Sequence, residues 1–361
     1  MNAATILNPQ LTETEWPSDG LETLDRCPCC NGSGRELLHA ELGDRIFHCA
    51  PGSWSMVRCT DCGSGYLDTR PSEDMIGLAY AEYYTHAASA EPVWLSSSTR
   101  AGSRLPSWRN GYLNRRFPRF RQSPSSRVGG SLFRLFPYTR IFADRDVRHL
   151  PNPGPNSRLL DIGCGDGNFL KIANRLGYAA EGLEFDQHAV AAARTSGLTV
   201  HYGSLPRTGL ASGSWDAITL SQVIEHVHDP LASLREMVRL LRPGGTLWLA
   251  TPNVDAPGHA RFGPDWRGLE PPRHLAVFSS HALRNCLEQA GFEDIRFRPP
   301  GPVSAWFDGA SRKIAGEAGR EPVARAGRLA TAWNDLRAAL WPTSGEELIV
   351  TARRPGAEIS Q

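Results

Sequence analysis

Leu159-Leu-Asp-Ile-Gly-Cys-Gly-Asp-Gly167 constrains this chain more than any other stretch. An apolar strand-like run passes into three alternating glycines and then directly into a helical pattern. Glycines there allow a tight turn and let a ligand lie against the backbone, at the edge where open α/β sheets bind ligands. The spacing differs from the dinucleotide fingerprint, and the Lys-Ser/Thr of a phosphate loop is missing. The loop carries Asp161 and Asp166 and no basic residue, which suits a cationic ligand end better than a pyrophosphate.

Around this loop strand and helix patterns alternate, the signature of βαβ units. Strands are expected at 158–164, 179–185, 199–202, 215–223, 246–250, 293–297 and 347–352. Helices are expected at 168–176, 187–195, 230–241 and 280–289, with Asp186, Asp229-Pro230 and Ser279/Ser280 as start signals and Gly291 as a stop. Residues 301–345 read as an insert with helical texture around 329–340. Seven strands make an α/β, Rossmann-like domain over residues 151–361.

The pattern Asp-x-Gly-x-Gly-x-Gly after a strand resembles motif I of class I S-adenosylmethionine (SAM)-dependent methyltransferases. That resemblance implies SAM as cofactor, with Asp161 toward its methionine ammonium and Gly163, Cys164, Gly165 and Gly167 lining it. Glu184 lies about 20 residues beyond the loop, where a carboxylate can accept both ribose hydroxyls. Leu205 is placed against adenine, and Ser221 and Gln222 beside the methionine part. Ser221-Gln-Val-Ile-Glu-His-Val-His-Asp-Pro230 resembles a stretch of ubiquinone-pathway O-methyltransferases and of many antibiotic and sugar methyltransferases. In metal-assisted relatives the position of Gln222 tends to be acidic, so a catalytic Mg²⁺ is not expected.

His226 stands at the sheet edge where cofactor and acceptor must meet, and its ordinary pKa near 6.5 suits a general base. Its alternative is to cap the helix entered at Asp229. Glu225 orients it or faces the acceptor, whereas His228 points away. The loop Glu270-Pro-Pro-Arg-His274, with Phe278, resembles the family's loop before its last helix. Glu270, Arg273 and His274 are therefore candidates for the substrate face, or for fixing the loop.

Six of the eight cysteines fall between Cys27 and Cys62, and Cys27-x-x-Cys30 and Cys59-x-x-Cys62 form two knuckles. Four thiolates complete the tetrahedron of a structural Zn²⁺. A redox pair is the rival, and Cys29 or Cys49 could intrude in the set. Short β pieces at 55–58 and 65–67 and a helix at 71–84 complete a zinc-binding module over residues 23–84, with a core separate from the glycine loop's. This module, with Tyr80-Ala-Glu-Tyr-Tyr84 after it, resembles the zinc-ribbon-like N-terminal part of bacterial sugar, polysaccharide and secondary-metabolite methyltransferases.

Between them, residues 85–150 show no sustained period. Twelve arginines face only Asp144 and Asp146 between Arg100 and Arg148, although the whole chain of 361 residues carries a net charge of only +1. The stretch reads as a solvated, partly helical linker, or as a surface for an anionic acceptor. Lys171 and Lys313 are the only lysines, which leaves little room for Schiff-base chemistry.

No apolar run is long enough to span a membrane and no export signal opens the chain, so a cytoplasmic protein is expected, with peripheral membrane contact left open. The reading is methyl transfer to a small-molecule or glycan acceptor in biosynthesis. An RNA methyltransferase is the alternative, without strong sign of nucleic acid. A non-catalytic protein that binds SAM and zinc is a third.

Overall fold

A computed structural model describes residues 15–80, 104–320, 324 and 326–356. The chain opens with β1 (Leu21–Thr23), β2 (Arg35–Leu42), β3 (Trp54–Cys59), β4 (Gly65–Leu67) and β5 (Thr69–Pro71). Three helices follow, α1 (Arg104–Arg116), α2 (Arg127–Phe133) and α3 (Pro137–Asp146). The alternating part comprises β6 (Arg158–Ile162), α4 (Asn168–Leu176), β7 (Ala179–Glu184), α5 (Gln187–Thr195), β8 (Thr199–Tyr202) and β9 (Trp215–Ser221). It continues through α6 (Pro230–Leu240), β10 (Leu241–Pro252), α7 (Pro257–Phe262), β11 (Ala276–Val277), α8 (Ser280–Ala290) and β12 (Glu293–Arg298). Helices α9 (Ser304–Glu317) and α10 (Arg328–Leu340) precede the last strand, β13 (Glu347–Arg353).

Seven strands form one sheet in the order β12-β13-β10-β9-β6-β7-β8. Strands β6 to β10 run parallel, and β13 inserts antiparallel between β10 and β12. The chain builds outward from β6 to β8, then crosses back to β9 on the other side of β6. Loops leaving β6 and β9 therefore diverge and open a crevice at the carboxyl ends, where such sheets bind ligands. The Rossmann-like fold read from the sequence is the one observed.

Local chemistry explains the elements. Helix α4 starts at left-handed Gly167, stops at left-handed Gly177, and buries Phe169, Leu170, Ile172, Ala173 and Leu176 along one face. Each such Leu contributes about 1.5–3 kcal/mol by leaving water. Asp229 caps α6 by accepting from the Ala232 amide at 2.8 Å, with Pro230 as first residue. The fifth strand, expected at 246–250, begins earlier than that. The strand starts at Leu241, and the Pro-Gly-Gly forms a bulge between the pairs Leu241–Trp215 and Thr246–Ala217.

Two expectations need correction. The arginine-rich stretch is not a solvated linker from residue 104 onward. Tyr112, Leu113, Phe117, Phe120, Phe133, Val147 and Leu150 are buried in one core with Leu159, Phe169 and Ile172 of the glycine-loop unit. Its arginines serve the fold: Arg109 pairs with Asp146 at 2.5 Å, Arg116 with Asp144, and Arg145 with Glu347 at 2.9 Å.

The cysteine module, likewise, has no core of its own. Cys27, Cys29, Cys59, Cys62 and Tyr66 share a core with Leu160, Ile162, Ile218 and Leu283. Its sheet runs β11-β4-β3-β2, so one of its four strands comes from the far half of the chain. Cys286 of α8 donates to the Cys29 carbonyl at 2.9 Å, and the α8 cap Ser279 donates to the Cys62 carbonyl at 2.6 Å. In place of the helix expected at 71–84 there is a short 3-10 turn at Ile76–Tyr80; residues 81–84 lie outside the described ones.

Candidate functional site

The four cysteines of the two knuckles converge. Their Sγ atoms all lie within 4.8 Å of one another, with Cys27–Cys62 at 3.7 Å and Cys30–Cys59 at 3.5 Å. A tetrahedron with Zn–S bonds of about 2.3 Å has edges of about 3.8 Å, so the donors fit that ion. Amides of Cys29 and Gly32 point at the Cys27 and Cys30 sulfurs at 3.4 Å each, as negatively charged thiolates require. Hydrogen bonds from Cys29 and Cys62 bring the Cys27 thiol down to about 6, while burial pushes Cys30 up to about 12. Without a cation Cys27 ionises readily, while Cys30 and Cys62 resist. Cys29 bonds to Cys27 and to Cys286, and Cys49 to Asp44 and the Ala79 carbonyl; neither is among the four whose sulfurs lie within 4.8 Å of one another.

At the crevice Gly163, Gly165 and Gly167 all have positive φ. A Cβ on Gly163 would sit 2.4 Å from Val223 Cγ2, and one on Gly167 2.3 Å from Leu198 Cδ1, so the turn admits no side chain at either. Cys164 packs behind the loop, against Gly182. Glu184 closes on the loop: Oε2 accepts from the Gly165 amide at 2.8 Å, and Oε1 from Phe185 and Asp186 at 2.9 and 3.0 Å. Three bonds leave part of the carboxylate's accepting capacity for a ligand. Burial raises its pKa and these amides oppose the shift. Asp186 caps α5, as read.

Asp161 has a resident partner that the sequence did not suggest. It pairs with Arg148 and accepts from Thr219 Oγ1 at 2.8 Å. The Arg148 guanidinium lies over the Phe169 ring at 3.6 Å and near Trp248 at 5.2 Å. Arg148 and His149 both have φ of 50°, a left-handed pair that turns the chain inward after α3. Leu205 is buried in the shared core. Ser221 ends β9; Gln222 (φ 57°) donates from its amide to the Ala250 carbonyl and from Nε2 to Glu347 at 2.9 Å.

Past β9 a 3-10 turn, Ile224–His226, delivers Glu225 and His226. Glu225 is fully buried: Oε2 accepts from Thr251 at 2.9 Å and Oε1 has no partner among the described residues. Burial holds its carboxyl up at about 8. His226 Nδ1 lies 3.0 Å from the Arg273 carbonyl and 3.0 Å from Tyr80 Oη. A carbonyl only accepts, so the proton belongs on Nδ1 and Nε2 keeps its lone pair. His274 repeats the arrangement, with Nδ1 on the Gly268 carbonyl at 2.8 Å, and the two rings meet edge to face at 4.6 Å. A carboxylate oxygen of Glu225 and one ring nitrogen each of His226 and His274 lie within 4.8 Å of one another. Burial pushes His226 below its ordinary value and His274 down to about 3. His226 does not cap α6, and His228 turns to the Pro71 carbonyl at 2.9 Å.

Glu270 and Arg273 do not face an open substrate surface. Arg273 is completely buried, bonded to Asp44 through two nitrogens at 2.9 and 2.5 Å, to Glu270 at 3.0 Å and to the Ala79 carbonyl at 3.0 Å. Burial works against the Glu270 carboxylate, yet His274, Arg267 and Arg273 hold it at about 2. Both fix the loop, so that the Arg273 carbonyl and His274 meet His226. Tyr80 was missed as a site residue. It packs edge-on against Phe185 at 5.2 Å and bonds to His226, linking the loop side of the crevice to the histidines. Its signal was the tyrosine-rich stretch it opens.

A profile of the methyltransferase domain family matches residues 136–296. The ubiquinone biosynthesis O-methyltransferase of Xanthomonas campestris is 31% identical over 186 residues, 49% of this chain and 72% of that protein. This chain belongs to the class I SAM-dependent methyltransferases. The enzyme of the same name from Xanthomonas oryzae is 30% identical over 184 residues, 48% of this methyltransferase and 71% of its relative. A solved SAM-dependent methyltransferase from Mesorhizobium loti superposes with a TM-score of 0.41 at 19% identity, covering 59% of this methyltransferase and 98% of that chain. Among the described residues no helix of this methyltransferase is long and apolar enough to cross a membrane.

Proposed function

We propose that this methyltransferase methylates a hydroxyl of a small-molecule acceptor, with His226 as general base and Zn²⁺ held structurally by Cys27, Cys30, Cys59 and Cys62. The observation that carries the reading is the bond from His226 Nδ1–H to the Arg273 carbonyl. It leaves Nε2 as a neutral acceptor beside the crevice, the state a base needs before it takes a hydroxyl proton. Likeness to two ubiquinone biosynthesis O-methyltransferases supports a hydroxyl rather than an amine.

When bound, SAM supplies a sulfonium-activated methyl group. Gly163, Gly165 and Gly167 give it a backbone floor, with Cys164 behind them. Glu184 takes the ribose hydroxyls, Leu205 flanks adenine, and Ser221 and Gln222 border the methionine end. Asp161, neutralised by Arg148, acts there by fixing the loop rather than as a free carboxylate. Glu225, protonated at neutral pH, and His274 close the far side of His226, and Tyr80 completes that wall. The chain's task is to align the acceptor, exclude water and receive one proton.

The test is methyl transfer from labelled SAM to a panel of phenols, catechols, nucleotide-sugars and a bulk RNA control. Transfer to hydroxyls is expected, with affinity for SAM falling at least about tenfold in Glu184→Ala. Transfer to RNA alone, or a wild type that binds no SAM, sinks the proposal.

A further inference from the structure

Helix α10 is amphipathic the wrong way round. Leu329, Trp333, Leu336 and Leu340, spaced four, three and four apart, form one helical stripe, yet they are 88%, 64%, 42% and 63% exposed. The opposite face buries Asp335 and Ala338. Asp335 accepts from the Ser304 amide at 3.1 Å, and Ala338 packs on Gly345. Trp341 continues the outward apolar run from the end of the helix, and Trp306 near the start of α9 is also exposed. The segment lies beyond the part of the chain that matches the methyltransferase family, which ends at residue 296. The seven-stranded sheet does not need these side chains for its core, and solvent exposure of so many in one place marks a contact surface.

We propose that α10 docks this methyltransferase onto an anionic phospholipid surface, lying in the interface with its Leu/Trp stripe inserted among the headgroups. Charge decides between a bilayer and other occupants. The sole acid of α10, Asp335, is turned inward, and Asp308 of α9 is buried as well. The charges on the rim of α10 are basic: Arg328 is exposed, and half-buried Arg337 donates to the Ser344 carbonyl at 3.1 Å, whereas on α9 the exposed Lys313 is matched by Glu317 at 3.6 Å and adds no net charge. Exposed Trp and Leu rimmed by arginines is the composition of an interfacial helix.

The experiment uses the full-length protein and vesicles of phosphatidylcholine with and without phosphatidylglycerol, read by co-flotation and by the blue shift of tryptophan emission. The wild type is expected to float with the anionic vesicles and to release as salt rises. Trp333→Ser/Leu336→Ser is expected to lose at least about tenfold in partition, since both apolar side chains leave water on insertion. Both positions are exposed, so the fold is retained. Val128→Ser/Leu135→Ser, which removes an equally exposed apolar pair elsewhere, should float like the wild type. The proposal is overturned by equal loss in that control, by equal partition onto neutral vesicles, or by no flotation at all. A wild-type dimer that the Trp333/Leu336 variant splits into monomers would also overturn it and give the face to a second copy.

Discussion

The guanidinium of Arg273 reaches Asp44 with two hydrogen bonds across 229 positions of sequence, both side chains fully buried. Through this pair the loop after Asp44 holds the segment whose carbonyl sets the proton on His226. The cysteine module thereby becomes a wall of the site.

Replacing Arg273 by Met should therefore destabilise the whole molecule, by about 3–5 kcal/mol, because Asp44 and Glu270 remain buried without their cation. Adding Asp44→Asn should recover part of that loss, as coupled sites do. Urea titration of the two single variants and the double gives the coupling. Additive losses, or a change under about 0.5 kcal/mol for Arg273→Met, would show that the pair does not hold the modules together.

About one zinc per chain is the expected result of elemental analysis. The four-cysteine site sits in a core shared with α8, so Cys59→Ser should lower SAM affinity as well as unfold the knuckles, and melting should stay a single transition. Structural zinc contributes about 10–16 kcal/mol in isolated fingers, so chelation should have a large effect. A zinc-depleted protein that binds SAM normally contradicts the shared core.

Burial keeps His226 below its ordinary pKa, so the rate should fall only at pH below about 6.5. His226→Ala should reduce kcat about 10²–10⁴-fold with SAM affinity kept, and the acidic limb should vanish with it. A chelator effect on kcat while the four-cysteine site keeps its zinc would move the role of Glu225, His226 and His274 from proton transfer to metal binding.

Glu225 gives a separate signature in stability. Its folded pKa is about 8 and its ordinary value 4.5. The folded state thus holds a proton that the unfolded chain has already lost in that window. Stability from this group is fully present below about pH 4.5 and declines as pH rises to about 8, by about 5 kcal/mol. Glu225→Gln should flatten that decline in melts taken across the range. Identical pH slopes in the two proteins would mean the carboxyl ionises freely.

Much of this was legible because it is local. Gly163 and Gly167 announce themselves through φ > 0, Asp186 and Asp229 as caps, and Glu184 by its distance from the loop. The stretch holding α1 to α3 was read as partly helical, but its packing into the core was hidden because Tyr112, Leu113, Phe117 and Phe120 sit among arginines. Arg148 to Asp161, Tyr80 to His226 and Asp44 to Arg273 were invisible for another reason. Each pairs ordinary residues from different elements, and only the packed sheet brings them together. Arg273 looked like a surface charge because a buried arginine differs from an exposed one in its neighbours alone.

Strand β4 pairs with β11 through Tyr66 and Ala276, 210 positions later in the chain (276 − 66). Ribosomes add about 5–20 residues per second, so β4 waits about 10–40 s for its partner. During that time the nascent knuckles can gather metal, but the strand edge beside them is bare and the wall of the crevice is incomplete. A strand made early is thus among the last to reach its final form, and chains stalled before β11 should present a sticky edge rather than a finished domain.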